Sequence, residues 1–340
     1  MRYASIFAAG HQDNSLFAEN DTNHLYNPTY LMRRLKAGFR SIEIELNTAD
    51  KNVEKEIEFE IYIEGQALSE RNVPKYLLAL ENPQINLLNA SKQYCMQFDQ
   101  VFTWNPFIGD LKNVTILMVP IQLRKQSFPT FSKRPIFSCL INANKRFKTQ
   151  EQNDLYEERL RVIRWYEANH PLDFELYGLG WDKPSPAFTA QEKFKRRINR
   201  LRSQLFRYRP FPSFKGSIAN KDSVLLSSKF SYCYENVKDI PNYITEKIFD
   251  SMMAGCIPIY WGASNVESFI PKECFIDRRD FESMEALHDF LKGIDALKYQ
   301  LYQDAISFFL QSPQMQLFDA DSYVDTIVRK ISANLKLSKA

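Results

Sequence analysis

Short apolar runs of strand length alternate along the whole chain with segments whose apolar residues recur at helical spacing, and few folds tolerate that alternation. The runs Ser5–Ala9, Ser41–Leu46, Ile57–Ile63, Tyr76–Leu80, Gln100–Trp104, Thr115–Ile121 and Pro135–Ile141 read as buried strands. Phe174–Tyr177, Phe230–Tyr234, Cys256–Trp261 and Cys274–Ile276 read the same way. Between them lie helical patterns. One takes Asn27 as N-cap, Pro28 as its first residue and Gly38 as the residue past its end. Another runs from Glu151 to Asn169 with Leu155, Leu160, Ile163 and Tyr166 near one face. The last spaces Val324, Ile327, Val328 and Ile331 at i, i+3, i+4 and i+7. Strands each followed by a crossover helix form a parallel sheet, so the fold class is α/β. The 340 residues suffice for two such units. With Pro135–Ile141 as the last strand of the first unit, the division falls at 1–145 and 146–340.

Composition narrows the function. The chain carries 44 basic and 41 acidic residues, a net +3, too near neutral for a dedicated nucleic-acid binder. Its five cysteines form no CxxC pair and read as reduced, buried thiols of a cytoplasmic protein. No stretch reaches the ~18 apolar residues of a membrane span, and the N-terminal apolar run is too short for a secretory signal. The sole GxG, Gly178-Leu-Gly180, lacks the third glycine of a dinucleotide turn, and there is no GxxxxGK[ST] loop. The four histidines show no metal-ligand spacing. Asp319-Ala-Asp321 has the form of a DxD metal site, but it directly precedes the last helix, where an aspartate serves as N-cap.

The chemistry concentrates in Lys229–Asp277. A strand delivers Glu235 and Asn236 at its carboxyl end. A loop containing Pro241 leads to a helix entered near Asn242 or Thr245, with Glu246 and Lys247 in its first turn and Gly255 at its end. Ligands of open α/β sheets sit beyond the carboxyl ends of strands, beside helix N-termini. Free N–H groups there, with a lysine in the same turn, suit a diphosphate. The plainer alternative is that the helix dipole alone favours Glu246 and that Lys247 is merely solvated.

Lys229-Phe-x4-Glu235-Asn236, then Tyr243-x-Thr245-Glu246-Lys247, then Pro258-Ile-Tyr-x-Gly262 resembles the donor-binding motif of the α-1,3/1,4-fucosyltransferases, glycosyltransferase family 10, in its bacterial form. Leu176-Tyr-Gly178, Phe214-Lys-Gly216-Ser217 and Asn220-Lys221 are similar to family segments at family-like spacing. The resemblance covers about 174–281 and extends more weakly back to residue 76. It implies a GT-B architecture of two Rossmann-like units with the active site in the cleft between them. It also implies inverting transfer of L-fucose from GDP-β-L-fucose to a glycan hydroxyl, in α-1,3 or α-1,4 linkage to a GlcNAc- or Glc-containing acceptor.

Carried over residue by residue, the resemblance makes Glu81, in Leu80-Glu81-Asn82-Pro83, the catalytic base; read without it, Glu81 is more readily a turn acid ahead of Pro83. Arg159 matches the arginine at the donor diphosphate, with Arg161 and Arg164 as near alternatives. Asn142 stands where the family has a Ser-Asn loop, although Ile141-Asn142-Ala-Asn144 lacks the serine. Glu235, Asn236 and Tyr243 line the nucleotide pocket, Glu246 holds ribose or fucose hydroxyls, and Lys247 faces the diphosphate. With cations at the diphosphate no metal is required, although Mg²⁺ or Mn²⁺ stimulation is compatible with this. The first 70 residues align with nothing in the family.

Residues 193–209 carry eight basic and no acidic side chains, with Phe194, Ile198, Leu201 and Leu205 at i, i+4, i+7 and i+11. This segment reads as a solvated helix packed through one stripe, or as a peripheral contact with an anionic membrane where lipid-linked acceptors for lipopolysaccharide or other surface glycans reside. Two alternatives to the fucosyltransferase remain: a transferase of another GDP-sugar, and a silent glycan- or nucleic-acid-binding protein with the same fold.

Overall fold

The computed structural model describes residues 2–18, 29–124, 126–148, 153–206 and 209–338. They form two compact units. Unit 1 comprises 1–123, 241–246 and 313–340; unit 2 comprises 124–240 and 247–312.

In unit 1, strands β1 (Arg2–Ala8), β2 (Ile44–Thr48), β3 (Glu60–Ile63), β4 (Lys75–Ala79), β5 (Gln100–Thr103) and β6 (Val114–Ile116) form a parallel sheet of order β2-β1-β3-β4-β5-β6. The alternation seen in the sequence has its cause here. Leu77 and Leu78 are both fully buried, because crossover segments cover both faces of a parallel sheet. Helices α1 (Tyr30–Arg40) and α2 (Lys92–Cys95) belong to this unit.

Unit 2 opens with β7 (Ile136–Ile141) and α3 (Leu155–Asn169), followed by β8 (Phe174–Tyr177), α4 (Ala190–Phe206), β9 (Phe214–Gly216), α5 (Lys221–Leu225) and β10 (Ser228–Tyr234). It continues through α6 (Glu246–Met253), β11 (Ile257–Trp261), β12 (Ile276–Asp277), α7 (Met284–Lys292) and α8 (Ala296–Leu310). The sheet order β9-β8-β7-β10-β11-β12 is the 3-2-1-4-5-6 order of a Rossmann unit. The strand order reverses between β7 and β10, so the carboxyl ends of those two strands mark the switch point where ligands of such sheets bind.

Several expectations need correction. Pro135–Ile141 does not end the first unit: β7 pairs with β8 and β10 and is the first strand of the second sheet, so the division falls at Leu123/Arg124. The last helix, α9 (Ala320–Ser338), returns to unit 1, where Val324, Ile327 and Ile331 share a core with Leu35 and Phe39 of α1. Gly38 lies inside α1 rather than past its end. An added Cβ would stand 2.9 Å from Val328 Cγ2 and 3.2 Å from Val324 Cγ1, so the glycine permits the close approach of α1 and α9. Asn27 and Pro28 lie outside the described residues. Thr115–Ile121 is strand only to Ile116. Asp319 caps α9, accepting the Ser322 N–H at 3.0 Å, while Asp321 pairs with Arg34 at 2.6 Å.

Of the α4 stripe, the described Phe194 (67%), Ile198 and Leu201 are exposed; the side chains of Leu205, Lys195, Arg200 and Arg202, and the whole of Arg207, lie outside those described. The five cysteines are buried and unbridged, as expected. Among the described residues no helix is long and apolar enough to cross a membrane.

Candidate functional site

At the switch point of unit 2 one arginine ties the edge together. Arg159, on the first turns of α3, is 1% exposed. Its Nη1 donates to Asn142 Oδ1 at 2.8 Å, just beyond β7. Its Nη2 donates to the Tyr234 and Glu235 carbonyls at 2.6 and 2.7 Å and to Asn236 Oδ1 at 3.2 Å, just beyond β10. The guanidinium also lies over the Tyr156 ring, 4.8 Å from its centroid. Asn142, Arg159, Glu235 and Asn236, picked out separately in the sequence, are therefore one cluster. The geometry also separates Arg159 from its neighbours: Arg161 is exposed and pairs with Glu158, and Arg164 pairs with Glu167. With its Nη atoms turned to these acceptors, Arg159 shapes the edge from within.

Two glycines make the edge possible. Gly178 adopts φ +121°, and an added Cβ would overlap the Asn142 carbonyl, so Leu176-Tyr-Gly178 brings the β8 turn against the Asn142 loop. At Gly262 a Cβ would overlap the Tyr260 hydroxyl and stand 2.5 Å from Glu235 Cγ. That spacing explains why the glycine follows Pro258-Ile-Tyr by one residue: it leaves room for the Glu235 side chain.

Glu235 is fully buried, and Lys247 Nζ lies 3.0 Å from its Oε2. Lys247 is thus engaged by an interior carboxylate, which disposes of the reading in which it is merely solvated. The helix α6 starts at Glu246, so Thr245 precedes its first turn, and Gly255 (φ +61°) follows its end. Glu246 is half-buried at that start. Asn220 and Lys221, family-like in sequence, lie ahead of β10 rather than at its carboxyl edge. There Asn220 caps α5 and Lys221 pairs with Asp250 at 3.1 Å.

The YxTEK segment is divided by the fold: Tyr243–Glu246 packs with unit 1 and Lys247 with unit 2. Tyr243, expected at the nucleotide, is buried among residues of unit 1. Its ring lies 4.7 Å from Trp104, and its hydroxyl donates to Glu81 Oε1 at 3.2 Å. The same Oε1 accepts the Asn82 N–H at 2.9 Å and Asn82 Nδ2 at 3.0 Å, while Asn82 Nδ2 also donates to the Tyr243 hydroxyl at 3.1 Å. Glu81 sits just past β4, half-buried, and its Oε1 accepts from three donors.

Sequence reasoning missed Glu64. It follows β3, neighbour of β4, and its Oε1 accepts the Leu80 and Glu81 N–H groups at 3.2 and 3.1 Å. Asn89 Nδ2 donates to its Oε2. Burial pushes the Glu64 carboxyl up to about 6, with the nearby Glu81 charge adding to the rise and these hydrogen bonds opposing it. Its signal was available: like Glu81, it is a carboxylate directly after a buried strand.

Residues 200–308 match the model of the glycosyltransferase family 10 (fucosyltransferase) C-terminal domain. The chain is 41% identical over 76 residues to an α-(1,4)-fucosyltransferase of Arabidopsis thaliana, covering 22% of this chain and 19% of that protein. It is 34% identical over 82 residues to the α-(1,3)-fucosyltransferase FucT of Helicobacter pylori, covering 24% and 17%. The matched segment thus spans about a fifth of the length of these curated relatives. In fold, the chain is similar to a sucrose-phosphate synthase from Thermosynechococcus elongatus, with TM-score 0.59, 10% identity and coverage of 98% of this chain and 100% of that one. Two Rossmann-like units are the composition of the GT-B architecture, and the family resemblance read from Lys229–Gly262 is borne out.

Proposed function

We propose that this chain, whose residues 200–308 match a family 10 fucosyltransferase C-terminal domain, is an inverting glycosyltransferase that moves L-fucose from GDP-β-L-fucose to a glycan hydroxyl. The observation that carries the reading is the switch-point cluster of unit 2. The residues that match the family motif, Glu235, Asn236, Lys247 and Gly262, build the carboxyl edge where a sheet of this order takes a nucleotide. The named relatives are α-1,3- and α-1,4-fucosyltransferases, and we extend their donor and linkage class to this chain.

Glu81 takes the proton of the acceptor hydroxyl as its oxygen attacks the anomeric carbon. The bond from that carbon to the β-phosphate oxygen breaks on the opposite face, and GDP leaves with the electron pair. The β-fucoside becomes an α-fucoside in one displacement through an oxocarbenium-like transition state. Lys247 and the N-terminus of α6 offset the charge growing on GDP, so the step needs no metal. Arg159 is a positioning residue, and Glu246 binds sugar hydroxyls. A GlcNAc- or Glc-containing acceptor that is lipid-linked would bring the basic helix α4, with its exposed Phe194, Ile198 and Leu201, to an anionic membrane at its cytoplasmic face; nucleic acid is not a partner. The second reading, transfer from another GDP-sugar, keeps the whole donor edge and changes only what Glu246 meets.

Calorimetric titration with GDP, GDP-fucose and GDP-mannose, without metal and then with Mg²⁺ or Mn²⁺, separates the readings. GDP and GDP-fucose should bind without metal, and GDP-mannose more weakly. Equal binding of both sugars would support the second reading, and no binding would end both. Glu81→Gln should then lower transfer by about 10²-fold or more with GDP-fucose affinity retained. Transfer within a few-fold of wild type would remove Glu81 as the base.

A further inference from the structure

No metal-ligand spacing joins the histidines in the sequence, yet the fold of unit 2 stacks His170 on His288, with ring centroids 3.9 Å apart. Asp173 completes a group: one ligand atom from each of the three residues lies within 4.8 Å of the others, and Asp173 Oδ2 is 3.4 Å from His288 Nε2. From this geometry we propose that His170, Asp173 and His288 form a binding site for a divalent transition ion of the Zn²⁺ type.

Three observations carry it. The backbone is built to hold the ligands. The α3 helix ends at Asn169, and the turn His170-Pro-Leu-Asp173 closes with the Asp173 N–H donating to the His170 carbonyl at 3.0 Å. The Asp173 carbonyl is then anchored by Ser138 Oγ of β7 at 2.6 Å. Second, His288 is 2% exposed and turns Nε2 toward Asp173, while its other ring nitrogen, Nδ1, has no hydrogen-bond partner, so no neighbour dictates which nitrogen carries the proton and Nε2 can present its lone pair to an ion. Third, the donor set has the right chemistry: two imidazoles and a carboxylate suit Zn²⁺ and leave a fourth position for water. Glu285, with Oε1 3.8 Å from His170 Nε2, stands one helical turn before His288 and can reach that position. His170 and Asp173 are partly exposed, so an ion has a way in.

Two features oppose the ion and so supply its test. The rings are 22° from parallel, and their lone pairs converge on one ion only if they splay. Lys292 Nζ lies 2.8 Å from Asp173 Oδ2 and must give way, which its half-exposed side chain can do. The site lies at the start of β8, at the opposite edge of the sheet from Asn142, Glu235 and Asn236. Its role is accordingly to clasp the end of α3 to α7, not to take part in the transfer chemistry.

The full chain, stripped with EDTA, is titrated with Zn²⁺ while its melting temperature and tryptophan fluorescence are followed. Trp165 lies 5.1 Å from the His170 ring and 5.5 Å from that of His288, and reports the splaying. At about 100 times the dissociation constant the melting temperature should rise by about 5 °C or more. The fluorescence change should vanish in Trp165→Phe. The melting shift should vanish in His170→Gln and in Asp173→Asn, both partly exposed positions. Lys292→Gln should tighten Zn²⁺ binding several-fold, a gain that a purely structural His–Asp–Lys network would not produce. No shift up to millimolar Zn²⁺, a shift that survives His170→Gln, or no gain in Lys292→Gln would overturn the site.

Discussion

Lys247→Met tests whether the Glu235–Lys247 pair is a structural element of unit 2 as well as part of its donor edge. The substitution keeps most of the aliphatic stem and removes the charge. Glu235 has no exposed side-chain surface, whereas Lys247 retains 17%, so the carboxylate is the member that suffers. Breaking one side of a buried pair costs about 3–5 kcal/mol, and the partial exposure of Lys247 puts this case at the low end, about 3 kcal/mol. With a urea m-value of about 2 kcal/mol/M, the unfolding midpoint of unit 2 should fall by about 1.5 M. The two units need not unfold together, so the transition is followed by Trp165, Trp181 and Trp261, which lie in unit 2, against Trp104 in unit 1. Glu235→Gln/Lys247→Met should cost less than the sum of its single changes, by about 2 kcal/mol, because the stranded charge is gone. A Lys247→Met midpoint within about 0.2 M of wild type, or strictly additive single changes, would refute the reasoning. GDP affinity, measured without denaturant on protein shown to be folded, reports separately on the diphosphate role.

Gly262→Ala should destabilise unit 2 by about 1–3 kcal/mol and weaken GDP binding, because the new methyl displaces Glu235; urea melts and calorimetry with GDP check both. Glu64 is held at about 6 against an ordinary value of 4.5, so the folded state binds its proton more tightly than the unfolded chain does. Its contribution to unit 1 is therefore fully present below about pH 4.5 and is lost as pH rises through about 6, a difference of about 2 kcal/mol. Glu64→Gln should flatten that part of the stability–pH curve followed by Trp104 fluorescence, and an unchanged slope would assign the titration elsewhere. Tyr243→Phe removes one donor from Glu81 and should lower kcat by up to about tenfold with GDP affinity unchanged, measured as steady-state transfer rates.

Much of this protein was legible in its order of residues. Strand-length apolar runs alternating with helical ones required a parallel α/β sheet, because a strand covered on both faces has no polar side to show. Glu235 and Asn236 could be placed at a strand's carboxyl end for the same local reason, and Gly255 at a helix end because a left-handed residue is needed there. That one of Asp319 and Asp321 caps the last helix was recognisable because capping is decided within three residues, and the fold makes it Asp319.

What the sequence left undecided depends on partners far apart along the chain. Pro135–Ile141 has the same pattern whichever sheet it joins, and only pairing with β8 and β10 assigns it to unit 2. The apolar face of α9 does not say which unit it covers; packing against α1 across Gly38 does. Arg159, Arg161 and Arg164 are equivalent as residue types, and burial beside Asn142 and Glu235 selects the first. Tyr243 belongs with Glu81, and His170 stacks on His288, through contacts that no local spacing records. Local periodicity reports which face of an element is buried. Which element lies against that face is set by the summed packing of the whole chain, and that sum exists only in the folded molecule.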